Sequence, residues 1–288
     1  MSDAPLNETG TVSAIWRYPV KSMLGEELGE ARLSDHGLIG DRTFALLDRS
    51  DGKVATAKNP RKWPTLFSFE AQFIERSDGN AKGSGVRITL PNGTVVTGDD
   101  ADVSQVLSQT LNRDVTLVTT GRADDAESSG RASRAATAEE YWPDIEGLDH
   151  RDTVTDFELP TGTFFDCATV HLLTTATLDR LRQSYPEGQF EVPRFRPNIV
   201  VNPVDDTPAF AEDSWIGQTL AIGEEVRLKI TGPCGRCVMT TLAQGDLPTD
   251  KGILRTAVQQ NRANVGVYAA VARGGTIRRG DRVRVSAA

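Results

Sequence analysis

Two of the chain's three cysteines lie in the segment Thr231-Gly-Pro-Cys-Gly-Arg-Cys-Val-Met-Thr-Thr241, as Cys234 and Cys237, with Arg236 immediately before the second. A thiolate is a soft metal ligand and a nucleophile. A fixed guanidinium beside it lowers a thiol pKa or holds an anion. A structural zinc site needs four ligands, as two such pairs or a pair with two histidines at short spacing. No second pair exists, and Cys167, His36, His150 and His171 offer no His-x(3–5)-His arrangement. A thioredoxin-like redox motif opens a helix in a βαβ unit. Here Glu225–Thr231 alternates apolar and polar like a strand and Val238–Leu242 is strand-like, so Gly232-Pro233 reads as the turn of a strand–turn–strand unit. The local motif fits two half-buried thiols acting as small hydrophobes equally well.

The elements that must position this segment belong to a soluble globular chain. Its 288 residues suggest one large or two ordinary domains, with 38% hydrophobic and 25% charged residues. A net charge of −8 argues against a general nucleic-acid-binding surface and leaves room for a local basic pocket. Three cysteines suit a reducing compartment better than a disulfide framework. Met1–Thr9 lacks a basic, apolar leader, and no apolar run approaches the ~18 residues of a membrane span. The expectation is a cytoplasmic protein with no membrane or nucleic-acid partner.

The first part reads as β-rich. Thr11–Tyr18 is a strand stopped by Pro19, Arg42–Asp48 and Lys53–Ala57 flank an Asp-Gly turn, and Phe67–Glu75 partly alternates. Val86–Leu90 and Thr94–Thr97 flank Pro91-Asn-Gly93; 102–112 has helical spacing, with Asp100 or Asp102 as cap; Val115–Val118 is a strand. Residues 121–134 contain no bulky apolar side chain, which suggests a linker or, less simply, a lid. Beyond it, Thr169–Leu173 reads as a strand and Thr174 caps a helix over Thr175–Ser184. Further strands are expected at Asn198–Val201, Gln218–Ile222, Val265–Arg273 and Arg282–Ser286. The expected division is a domain over 1–120, a linker or mobile loop over 121–150 and a second domain over 151–288.

Seven segments fall in an ordered series: Tyr18-Pro-Val-Lys-Ser22, Gly40-Asp-Arg42, Asp166 before His171-Leu-Leu-Thr-Thr175, Phe195-Arg-Pro-Asn198, Ala211-Glu-Asp-Ser-Trp215, the Cys-Gly-Arg-Cys segment, and Gly275-Thr-Ile-Arg-Arg-Gly-Asp281. The series resembles the MOSC family, in particular the two-part proteins similar to the mitochondrial amidoxime-reducing component. That resemblance implies a β-rich α+β fold: an N-terminal β-barrel domain followed by a MOSC β-barrel domain with peripheral helices. It also implies the molybdenum cofactor (Mo-molybdopterin), with Cys237 as the metal ligand. Lys21, Ser22, Arg42, Arg196 and Asn198 would bind the anionic cofactor, Gly235 and Arg236 would lie beside the metal, and Asp166 would relay protons or orient water. Taken singly, Lys21 and Arg42 also read as solvated charges, Arg196 as a turn residue paired with Asp205 or Asp206, and Asp166 as a turn cap. His171 reads as a core histidine, Cys234 and Cys167 as near-site or merely buried, and Trp16, Trp63, Trp142 and Trp215 as packing anchors.

Two functions follow from the resemblance. The first is an oxidoreductase that removes oxygen from N-hydroxylated substrates such as amidoximes. No cysteine follows Cys237, so its electrons are expected from a separate donor protein of the reductase or ferredoxin type. The second is a molybdenum cofactor carrier or sulfur-transfer module that uses a cysteine persulfide.

Overall fold

The structure is a computed structural model that describes residues 6–74, 85–120, 137–140, 155–158 and 164–286. The expected linker over 121–150 lies outside them apart from one short strand, as do Trp142 and His150. The first half of the chain holds β1 (Leu6–Arg17), β2 (Glu26–Leu28), β3 (Glu30–Ser34), β4 (Gly37–Leu38), β5 (Phe44–Asp48), β6 (Glu70–Ile74), β7 (Gly85–Thr89), β8 (Val95–Thr97), helix α1 (Val103–Leu111) and β9 (Val115–Thr119). Strands β10 (Thr137–Glu140) and β11 (Thr155–Glu158) pair with each other. The second half holds β12 (Val170–Thr174), α2 (Thr175–Ser184), α3 (Val192–Phe195), β13 (Ile199–Pro203), β14 (Thr219–Ile222), β15 (Val226–Gly235), α4 (Lys251–Asn261), β16 (Asn264–Arg273), β17 (Gly275–Arg278) and β18 (Arg282–Ser286).

Seven strands close into a barrel in the order β13-β12-β16-β15-β14-β18-β1, with β1 returning to β13. Every pairing is antiparallel except β12–β13, so the barrel has no open edge between its first and last strands. The alternation that marked these segments as strands points one face inward: Ile15, Leu172, Ile199, Leu220, Leu228, Val267 and Val283 fill the interior with Trp215. Strand β1, from the start of the chain, thus completes a barrel whose other strands come from the second half. The path from β1 to β5 carries the Tyr18–Ser22 segment straight out of it.

The other core lies among the strand groups β5-β9 and β6-β7-β8 and helix α1. It contains Trp63, Phe67, Phe69, Ile88 and Leu107, together with Cys237 and Met239 from beyond β15. The Cys-Gly-Arg-Cys segment therefore leaves the barrel and plugs its second cysteine into the neighbouring core.

The expected turn at Gly232-Pro233 is not there. β15 runs through it with register shifts at Ile230/Gly232 and Pro233/Gly235, so the proline sits at a bulge where its missing N–H costs the ladder nothing. The expected strand at Val238–Leu242 is instead a 3₁₀ turn over Val238–Thr241. Its threonines explain this: Thr240 Oγ1 donates to the Cys237 carbonyl at 3.0 Å and Thr241 Oγ1 to the Val238 carbonyl at 2.8 Å, local bonds that compete with a ladder. Lys53–Ala57 contributes one bridge, Leu47–Val54, rather than a full strand: β9 takes one edge of β5, and Val20 bridges the other edge at Phe44.

Helix α2 has the expected span, and Thr174 caps it by accepting the Thr177 N–H at 3.2 Å. Helix α3 presents Arg194, a fully buried cation that no sequence pattern flagged. Its guanidinium donates to the carbonyls of Gln189 (2.8 Å), Thr240 (3.2 Å), Leu242 (3.1 Å) and Pro248 (2.8 Å). It thereby ties down the chain that follows Cys237. Arg194→Met would leave these carbonyls unpaired in the interior and is expected to cost at least about 3 kcal/mol, read from denaturant unfolding.

Candidate functional site

Backbone bonds lay Tyr18–Lys21 against Arg42–Phe44: the Arg42 N–H donates to Tyr18 O at 2.9 Å, Phe44 to Pro19 at 3.0 Å and Lys21 to Phe44 at 2.9 Å. Asp41 fixes this join. It accepts the Tyr18 N–H at 2.7 Å, the Asn198 Nδ2 at 2.9 Å and one Arg42 nitrogen. Asn198 uses the rest of its amide as a brace, donating to Trp16 O at 3.3 Å and accepting the His171 N–H at 3.1 Å. Ser22 Oγ accepts the Ala57 N–H at 3.1 Å. Ser22, Arg42 and Arg196 all adopt left-handed backbone, with φ of 64°, 48° and 52°. Non-glycine residues rarely hold that conformation, and it concentrates where a site is pinned by its surroundings.

Lys21 and Arg42 are not solvated charges. Lys21 is buried, donates to Phe164 O at 3.0 Å and pairs with Asp166, and Lys58 Nζ reaches the other Asp166 oxygen at 3.2 Å. The Asp166 side chain stays 28% exposed, so the triad opens to one side. Burial pushes the Asp166 carboxyl up, but Lys21 and Lys58 outweigh it and hold the group well below the usual carboxylate range. One carboxylate serves two lysines. For Lys21, burial and the Lys58 charge prevail over the single shared counter-ion, and its pKa falls.

Arg42 and Arg196 both lie against the Tyr18 ring, with guanidinium carbons 4.6 and 4.2 Å from its centroid. Arg196 donates to Met23 O at 2.6 Å rather than to the aspartates after β13. Burial first, and then the neighbouring Arg42, bring its pKa down to about 9. This is the signature of cations crowded together away from water.

Around the cysteines the two thiols part company. Burial alone would raise Cys234, yet Arg236 and His171 pull it down to about 6; Arg236 donates to its sulfur, and Tyr268 also bonds to it. Cys237, 9% exposed, is raised by burial, with Lys58 and the Met239 N–H only partly opposing this. His171 is the core histidine expected, bonded through Nε2 to Val265 O at 3.1 Å. It packs so closely that a side chain on Gly266 (φ +83°) would meet that nitrogen at 2.4 Å. Gly235 lies exposed on β15, and Cys167 is also exposed. Trp63 and Trp215 are buried packing residues, and Trp16 stacks on Tyr18 at 6.3 Å.

The predicted charged residues therefore share one electrostatic neighbourhood: Cys237 feels Lys58, Arg236 and Asp166, Arg196 feels Arg42 and Asp166, and Lys21 feels Arg42. Sequence reasoning missed Lys58 and Tyr18. Tyr18 stands in the Tyr18-Pro-Val-Lys-Ser22 segment, where the lysine and serine are the residue types that signal anion binding; Lys58, in Ala57-Lys-Asn59, gives no signal at all. Lys21, Lys58, Arg42, Arg196 and Arg236 outnumber Asp41 and Asp166, inside a protein of net charge −8. Arg236 Nε and Tyr18 Oη find no hydrogen-bond partner among the described residues although both are buried. Such a cluster suits an anionic ligand, and Cys237, within its field, offers a soft donor. No group of three or more His, Cys, Asp or Glu among the described residues could hold a metal ion by itself.

Residues 9–139 match the model of the MOSC N-terminal beta barrel domain and residues 160–284 that of the MOSC domain. The chain is 27% identical over 254 residues to the mitochondrial amidoxime reducing component 2 of Rattus norvegicus, covering 82% of this chain and 68% of the rat protein. It is 26% identical over 256 residues to the mitochondrial amidoxime-reducing component 1 of Homo sapiens, covering 82% and 67%. Among solved structures, the YUAD protein from Bacillus subtilis aligns over 96% of this chain and 95% of its own at a TM-score of 0.46 and 10% identity, a likeness too loose to bear on the fold.

Proposed function

The chain belongs to the MOSC family and carries both its N-terminal barrel domain and its MOSC domain, and from that premise we propose that it is a molybdenum-cofactor-dependent reductase of N-hydroxylated compounds. The observation that carries the reading is the largely buried cluster of cations within whose field Cys237 lies, in a chain whose relatives are amidoxime-reducing components.

Lys21, Arg42, Arg196 and Arg236 would hold the anionic oxygens of the cofactor, with Ser22, Asn198 and the Gly235 backbone shaping its seat, and Cys237 would ligate the metal as thiolate. When bound, the cofactor supplies the two-electron chemistry in which the substrate N–OH oxygen leaves as water, with two electrons and two protons. Burial raises the Cys237 thiol, so metal binding must itself drive off its proton. Arg236, donating to the Cys234 sulfur, keeps a fixed positive charge beside this ligand. Asp166 stays ionised at neutral pH, so its carboxylate orients water or the substrate hydroxyl by accepting a hydrogen bond. The Lys21 ammonium, with its lowered pKa, is the acid placed to supply a proton there. Electrons come from a separate donor protein of the reductase or ferredoxin type. The reading includes a reducing, cytoplasmic setting, in keeping with three free cysteines. No helix among the described residues is long and apolar enough to cross a membrane.

The carrier or sulfur-transfer alternative has less support. Persulfide exchange needs an acidic, reachable thiolate. Here the acidic thiol is Cys234, which is fully buried, and Cys237, also buried, is raised. The test is anaerobic incubation of metal-loaded, chemically reduced protein with benzamidoxime. Formation of benzamidine over several turnovers is expected. A fully loaded protein that forms none would contradict the reading.

A further inference from the structure

Tyr18 is 1% exposed and is the only aromatic ring with both Arg42 and Arg196 over it among the described residues. Its packing is tight: a side chain on Gly25 would meet the ring at 2.5 Å. Two guanidiniums gain from a π face, and the ring keeps them on one aromatic platform. A phenylalanine would serve that purpose as well and would spare the fold a buried hydroxyl. The Tyr18 hydroxyl, however, has no hydrogen-bond partner among the described residues, and neither has the Arg236 Nε. The ring also lies within electrostatic reach of Arg236. A buried, unpaired phenol ringed by guanidiniums has no structural purpose of its own and a measurable cost.

We propose that Tyr18 is a further ligand-binding residue, whose hydroxyl donates a hydrogen bond to an anionic oxygen of the cofactor held by Arg42 and Arg196. This rests on the cofactor reading above. Burial keeps the phenol protonated, with the arginines only partly opposing it, so the hydroxyl remains a donor at any working pH. The platform and the donor are separate contributions. Tyr18→Phe removes only the donor, and Tyr18→Leu removes both.

The proposal predicts opposite signs for the two states of the protein. Chain made in a host unable to assemble the molybdenum cofactor should melt about 2–4 °C higher as Tyr18→Phe than as wild type, because the unpaired hydroxyl is gone. Chain made in a molybdenum-sufficient host should lose metal about tenfold faster on dialysis as Tyr18→Phe, for want of one charge-assisted hydrogen bond. Tyr18→Leu should be worse than wild type in both states. A merely structural tyrosine would move both states the same way. Cofactor-free Tyr18→Phe that melts below wild type, or loaded Tyr18→Phe that keeps its metal as wild type does, would overturn the proposal. If wild type itself takes up no molybdenum, the cofactor reading fails. Titration with inorganic phosphate then decides the Tyr18 contact: weaker binding by Tyr18→Phe sustains an anion donor there, and equal binding overturns it.

Discussion

Cys237→Ser is expected to fold as wild type does and to lose benzamidoxime reduction by more than about 100-fold, beyond the ~10–100-fold that substitutions around a metal's ligands cost. The serine fills the same space in the core shared with Trp63 and Phe67, so stability should change little. What it lacks is a soft donor. Cys234→Ser is the informative companion. Cys234 lies three positions away and is the more acidic thiol, so a reading based on thiol reactivity would make it the essential one. Its geometry says otherwise: it is fully buried and its sulfur holds Arg236 in place. Its loss should fall within that ~10–100-fold range and leave metal content largely intact. Turnover and circular dichroism of the two variants side by side check this. If Cys234→Ser is the dead variant and Cys237→Ser the active one, the ligand assignment is wrong.

The second large effect is on stability. Asp166→Asn removes the carboxylate that pairs with both Lys21 and Lys58 and leaves two ammonium groups facing each other in a buried place. The cost should be about 2 kcal/mol at pH 7, less than the ~3–5 kcal/mol of a fully buried pair because Asp166 keeps some contact with water. Melting should fall by roughly 4–8 °C. The pH dependence has a definite sign. The Asp166 pKa is depressed in the folded protein, so its contribution is complete above the ordinary carboxylate value of ~3.9 and is lost as pH falls below it. The gap between wild type and Asp166→Asn should therefore be constant near neutrality and narrow below about pH 4. Melting curves at neutral and acidic pH check it; a gap that widens on acidification contradicts the pairing.

The sequence showed the site's parts better than their joins. Short-range signals match the structure at the Thr174 cap with its helix and at the strand β18, and the ordered motifs point to Lys21, Arg42, Asp166, Arg196 and Cys237, which folding brings into one electrostatic neighbourhood. Those residues carried chemical meaning in their type and order. Most of the failures involve partners distant along the chain. Gly232-Pro233 looked like a turn because the bulge that accommodates it is set by pairing with β16. Lys58 is unremarkable until folding brings it to Asp166. Arg194 looked like any surface arginine, yet its partners, Thr240, Leu242 and Pro248, come from the loop beyond Cys237. Helix α4, capped by Asp250 on the Gly252 N–H, went unseen although its cap is local, because its apolar face is thin. The role of β1 in closing the barrel depends on β13 and β18, which no local pattern connects to the start of the chain.

On the proposed function, the cationic cluster holds a molybdenum cofactor through Cys237. The most direct test is molybdenum per chain, by elemental mass spectrometry, on wild type and Cys237→Ser purified from a molybdenum-sufficient host. Near-stoichiometric metal in the wild type that is lost or loosened in the variant is the predicted result. No molybdenum in either protein, with the host's cofactor supply confirmed, would contradict it.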